Sequence, residues 1–208
     1  VSTDPTITTT NGQVLQLLEP EVISGSAQWT WLRNHLNAFE SSLYGAGFAD
    51  PVTGWRAYLD EQTWQDNEWW VEIYKQIDGY RLSTYFTKDR GQKIKAAPVW
   101  DYNLSGGNAD YLAGWNYRGW YRDAGISQGQ SGATDFQYYW RLRQDTSYLR
   151  RLWDRYWKIR KSVLTTPALM GRIDQAVSAL TNGTPAINIT NGTGTWPSSV
   201  PSAEVPAA

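Results

Sequence analysis

Apolar residues recur at helical spacing along most of the chain and at strand spacing in one place. Trp29, Leu32, Leu36, Phe39 and Leu43 fall three or four apart behind Ser26. That spacing predicts a helix capped by the Ser26 hydroxyl and closed at Gly45. Asp60 is the cap of a second predicted helix, with Trp64, Trp70, Val71, Tyr74 and Ile77 on its apolar face. Asp50-Pro51 and Gly54 mark the loop between them. Near the other end, Thr134 or Asp135 starts a helix through Arg143, and Leu149, Leu152, Tyr156, Ile159 and Val163 trace the next. Thr166-Pro167 opens a last helix, Ala168 to Leu180, with proline at its first position. Residues 1–13 are Thr-rich and lack a period, so they read as a flexible arm, and Val14–Leu18 reads as a short strand. Residues 181–208 are Asn, Gly, Thr, Ser and Pro without an apolar face, which predicts a disordered tail or linker. Residues 14–180 are then one α+β, mainly helical domain.

The exception to helical spacing is Leu82, Thr84 and Phe86 alternating with Arg81, Ser83 and Tyr85. A period of two predicts a half-buried strand. Lys88-Asp-Arg-Gly91 is its turn, and Lys93 to Val99 supplies the return strand. Asp78 precedes this hairpin and Asp101 follows it, so the hairpin brings two carboxylates to its open end. Phosphoryl transfer asks for that pair, because it is mostly positioning and charge neutralisation: one carboxylate holds Mg²⁺ and the other orients the attacking hydroxyl. A turn residue and a strand-end residue are the plainer reading of the same two aspartates. After Asp101, residues 103–131 are rich in Gly, Asn and Trp and show no period, a length more typical of functional loops than of simple connections.

Composition narrows this picture. A formal net charge of −1 gives no overall pull toward nucleic acid or anionic membrane. The chain has no cysteine, which excludes disulfides and thiolate-held zinc. It has one histidine, His35, read as a helix residue, so a multi-histidine metal site is excluded. No apolar run approaches the roughly 20 residues of a membrane-spanning helix. The 13 Trp and 13 Tyr place large amphipathic side chains in the core and in any cleft. Trp64, Trp70, Trp153 and Trp157 lie in predicted helices, where burial is the expectation. Arg141, Arg143, Arg150, Arg151, Arg155, Lys158, Arg160 and Lys161 make two helices locally basic, and interleaved acidic and aromatic residues favour a solvated face over a nucleic-acid site.

The words around the aspartates carry a resemblance. Ile77-Asp-Gly-Tyr-Arg-Leu-Ser-Thr-Tyr-Phe, Lys88-Asp-Arg-Gly, and Pro98-Val-Trp-Asp-Tyr-Asn-Leu with Gly107-Asn-Ala-Asp-Tyr resemble the CotH kinase family, the spore-coat-protein-H-like atypical protein kinases. Asn37-Ala-Phe-Glu-Ser-Ser-Leu-Tyr-Gly, Gly54-Trp-Arg-Ala-Tyr-Leu-Asp and the stretch from Trp140 to Arg160 extend it over residues 14–180. The resemblance implies the large, C-terminal lobe of a protein-kinase-like fold with a small hairpin at the active site. It implies ATP and Mg²⁺ as cofactors and Ser or Thr of a protein partner as substrate. It also implies a secreted or surface location in a bacterium, and it marks Asp78 as the catalytic aspartate and Asp101 as the metal-binding one. Asn103 and Ser83 stand as further metal ligands; Asn108, Asp110 and the hairpin-flanking Arg81 and Arg90 are candidate phosphate or substrate contacts. Ser83 replaces the Asn that many members carry, and Asn103 replaces an Asp, removing a negative charge from the presumed metal site. Too few residues precede the first helix for a five-stranded small lobe, so the match is to the large-lobe half, in a fragment or a degenerate relative with activity left open.

A reading from another class rests on the same aromatics. Trp115, Trp120 and Tyr121, in the irregular loop, form a candidate platform for a sugar ring or peptide. The chain is then a non-catalytic secreted or surface module with glycan, matrix or protein contacts. Asn182-Gly-Thr, Asn188-Ile-Thr and Asn191-Gly-Thr match glycosylation acceptors, with little meaning in a bacterial protein.

Overall fold

In the computed structural model, which describes residues 4–80, 82–122 and 137–182, two antiparallel two-stranded sheets accompany five α-helices among those residues. β1 (Thr6–Thr8) pairs with β2 (Val14–Gln16), Ile7 opposite Leu15. The described part of the arm is therefore tied down. Ile7 is fully buried. The buried Glu40 carboxylate accepts from the Thr9 hydroxyl at 2.7 Å and from the Asn11 backbone and side-chain nitrogens. Thr-rich composition suggested looseness; one apolar residue and one buried carboxylate override it.

Helix α1 (Ala27–Tyr44) starts and stops where its caps predict: the Ser26 hydroxyl accepts from Trp29 N–H, and Gly45 donates to the Ser41 carbonyl. Leu36, Phe39 and Leu43 are buried on one face. Helix α2 (Glu61–Tyr74) is capped by Asp60, which accepts from Thr63 N–H. It closes on Lys75, whose left-handed φ of 51° ends the helical turn. Its buried face differs from the predicted one: Trp64, Gln65, Glu68, Trp69, Val71 and Glu72 face inward, while Trp70 is 38 % exposed.

The hairpin is β3 (Phe86–Thr87) and β4 (Lys95–Ala96), with Phe86 opposite Ala96 and Gly91 at φ 71° in the turn. The ladder is shorter than the alternation suggested. Leu82 and Ser83 donate to the Asp78 carbonyl in a turn, and Leu82 is exposed rather than facing the core. Ile94 seats the hairpin on α2: it bridges to Leu59, and its carbonyl accepts from Asp60 N–H and the Trp64 indole. Phe86 stacks on Trp64 at 4.8 Å between ring centres, and Phe39, Tyr138 and Tyr139 close the same aromatic core.

Helix α3 (Gln137–Leu142) and helix α4 (Thr146–Arg160) follow; the predicted caps Thr134 and Asp135 lie outside the described residues. Asp145 joins the two helices: it accepts from the Ser147 and Tyr148 backbones at the start of α4 and from Trp55 and Arg56 in the short 3₁₀ turn Trp55–Ala57. The contacts divide the chain into two units, Val1–Tyr156 and Trp157–Ala208. In the second, helix α5 (Thr166–Asn182) takes in Thr166 and Pro167 ahead of the predicted Ala168, with the Thr165 hydroxyl accepting from Ala168 N–H. Trp153 and Trp157, expected to be buried, are 43 % and 52 % exposed. No helix among the described residues is long and apolar enough to cross a membrane.

Candidate active site

The end of α2 leads directly into the site. Gln76, the second residue past the helix, is fully buried, and its side-chain amide faces both halves of the site. Its Nε2 donates to the Asp101 carbonyl, and its Oε1 accepts from Asp78 N–H at 3.4 Å. One carboxamide thus joins the main chain at the two aspartate positions. Gly79 has no room for a side chain: a Cβ there would lie 2.5 Å from Val71 Cγ2. A side chain there would have to displace Val71.

Each aspartate sits in a tight turn. The Asp78 carbonyl accepts from Leu82 and Ser83 N–H at 3.0 and 3.1 Å, which places Ser83 on the same turn as Asp78. Asp101 is exposed in the left-handed region, φ 55° and ψ 57°, at the head of the 3₁₀ turn Tyr102–Leu104. Asp and Asn are the side chains that tolerate this conformation best. Asn103 is exposed on that turn, and the Asn108 side-chain amide donates to the Asn103 carbonyl at 2.7 Å. Tyr102 is half-buried against Tyr74, and burial pushes its hydroxyl up to about 12. Asp110 is exposed, Arg90 is exposed at the hairpin turn, and Arg81 lies outside the described residues.

The aromatic candidates go to three different environments. Trp115 is 63 % exposed. Trp120 lies against Trp69 and Trp153 with the Arg122 guanidinium over its ring. Tyr121 is fully buried, so it offers no surface to a sugar or peptide.

Polar residues passed over in the sequence lie behind the site. Glu68 and Glu72 are buried on α2. Glu68 pairs with Arg143 at 2.6 Å and accepts from the Tyr148 hydroxyl. Glu72 pairs with Arg143 at 3.5 Å and accepts from the Tyr80 hydroxyl and Tyr121 N–H. Burial pushes the Glu72 carboxyl above its usual range, against the pull of Arg143. Glu68, Glu72 and Gln76 repeat every four residues, a stripe that resembles a solvated helix face. Its counterpart is the basic run from the end of α3 through α4: Arg143, in the turn between the two helices, pairs with Glu68, and Arg151 and Arg155 on α4 pair with Glu61 and Asp66. Those arginines are committed to α2.

No group of three or more His, Cys, Asp or Glu able to hold a metal occurs among the described residues, so a protein-only cage is not the fit. Asp101 and Asn103 offer oxygen donors on one exposed turn, and Ser83 offers another on the Asp78 turn. Compared with protein-family models, curated proteins and solved structures, the chain matches none.

Proposed function

We propose that this chain carries the large-lobe half of a CotH-type phosphotransferase site, moving the ATP γ-phosphoryl group to a hydroxyl of a protein partner. The observation that supports it is the Gln76 carboxamide, which fixes the Asp78 turn and the Asp101 turn to each other in a buried setting. A donor–acceptor bridge between the turns keeps two carboxylate-bearing segments in register.

In this reading Asp78 accepts a hydrogen bond from the acceptor hydroxyl and aims its oxygen at the γ-phosphorus. The new oxygen–phosphorus bond forms as the bond to the β-phosphate bridging oxygen breaks, and the hydroxyl proton passes to Asp78 or to the transferred group. Asp101, Asn103 and Ser83 would hold magnesium, which neutralises phosphate charge when bound. Ser83 and Asn103 lower the charge of that donor set, and magnesium affinity falls accordingly.

Calorimetric titration of the folded chain with Mg²⁺-ATP tests the reading, with Asp101→Asn as the variant. Asparagine accepts the left-handed φ of position 101 and removes only the charge. Binding by the native chain, weakened at least about tenfold in the variant, is the expected result. A folded native chain that binds no Mg²⁺-ATP ends the proposal. The competing module reading keeps only Trp115 of its three aromatics on an open surface, and glycan or peptide binding lost in Trp115→Ala is its own signature.

A further inference from the structure

The segment after Asp101 is fastened to the segment before Asp78 at several places. Gly106 N–H donates to the Tyr74 carbonyl at 2.6 Å, and the Lys75 ammonium donates to the Arg118 carbonyl at 2.8 Å. Gly114 lies so close to Ile77 that a Cβ would stand 2.9 Å from Ile77 Cγ2. The last fastening has a different character. The Glu72 carboxylate accepts from Tyr121 N–H at 2.8 Å and from Arg122 N–H at 3.4 Å, so an α2 side chain grips the backbone at the end of the segment. Tyr121 then turns its ring parallel to Tyr80 and donates its hydroxyl to the carbonyl of Ile77, the residue before Asp78.

Packing alone does not call for this. A buried carboxylate costs several kcal/mol in desolvation, and an apolar side chain of similar volume fills the same space. A carboxylate reading two consecutive backbone N–H groups recognises one conformation of the segment. The Tyr121 hydroxyl carries that conformation to the peptide that orients Asp78. We infer that Tyr121, anchored by Glu72, is a positioning residue for Asp78: docking of residues 102–122 sets the geometry of the Asp78 turn. The consequence for phosphoryl transfer rests on the function proposed above; the mechanical coupling does not.

Tyr121→Phe is the decisive variant, because it keeps the buried ring and removes one hydroxyl. The Leu82 and Ser83 amides, both bonded to the Asp78 carbonyl, report on the turn by hydrogen exchange. Their exchange is expected to quicken about tenfold, the worth of one hydrogen bond, while amides of α1 keep their rates. Unchanged exchange at Leu82 and Ser83, or an equal change throughout the chain, overturns the inference. If Tyr121→Phe fails to fold, Glu72→Gln carries the same comparison, since it keeps the hydroxyl and weakens its anchor. In an assay of Mg²⁺-ATP-dependent transfer, Tyr121→Phe is expected to lower kcat about tenfold with KM for ATP unchanged, and a loss confined to KM counts against the inference. A native chain without transfer activity sinks the phosphotransfer reading alone; the exchange comparison still decides the coupling.

Discussion

Gln76 offers a donor to a carbonyl and an acceptor to an N–H from one planar carboxamide. Gln76→Glu keeps the shape and the acceptor but turns an oxygen toward the Asp101 carbonyl. Gln76→Met removes both contacts to the main chain without adding charge. The expected order in urea denaturation is therefore glutamate worse than methionine, with the methionine cost at about 1–3 kcal/mol. Equal costs would remove the Asp101 contact from the account. Gly79 makes a second residue-scale case. Gly79→Ala drives a methyl into Val71 and costs about 1–3 kcal/mol by overpacking. Because the obstacle is one side chain, adding Val71→Ala recovers part of that loss, and the double variant is less destabilised than the two single costs added together.

At the scale of elements, ion pairs join α2 to α4 and to the turn that precedes α4. Arg143 has a side chain 8 % exposed and serves both Glu68 and Glu72. Arg143→Met leaves two buried carboxylates without their cation, and the expected cost is about 3–5 kcal/mol in thermal or denaturant unfolding. A cost near that of a surface pair, below about 1 kcal/mol, contradicts the buried-network description. Local signals made the helices legible: Ser26, Asp60 and Gly45 cap where the sequence places them, because capping depends on neighbours in the chain. The hairpin turn at Gly91 was legible for the same reason. The Glu68–Glu72–Gln76 stripe was not, since its arginine and tyrosine partners lie in distant segments and nothing local distinguishes a committed charge from a solvated one. Trp70, Trp153 and Trp157 failed as expectations on that ground too: a period says which residues share a face, not which face is covered. Tyr121 failed because an irregular loop has no period to read, and its partners Glu72 and Ile77 lie far away in the chain.

For the whole molecule, pH dependence sums over groups of opposite sign. Burial, helped by Lys88, holds His35 below its ordinary value; its ring stacks on Trp31, and its Nε2 has no hydrogen-bond partner among the described residues. A depressed folded-state value means the unfolded chain takes up that proton first. The stability His35 contributes is full above its ordinary value near 6.5 and is lost as pH falls below it. Glu72 acts oppositely: its raised value favours the folded state at low pH, and that contribution is lost as pH rises through it. Burial works against the Asp145 carboxylate, but hydrogen bonds from Ser147, Trp55 and Arg56 together hold it below its usual range, so its contribution disappears in acid. His35 is the only histidine, which isolates its share. Relative to His35→Phe, the native chain is expected to lose unfolding free energy steadily from pH 7 toward 5, read from urea curves at each pH. Parallel profiles for the two proteins would exclude a histidine contribution.

The Gln76 contacts touch only main-chain atoms at positions 78 and 101. They do not sense which side chains those positions carry. Inheritance can therefore alter those side chains while the socket that displays them persists. A lineage that exchanges them still hands down a folded scaffold, ready for a different task at the same address.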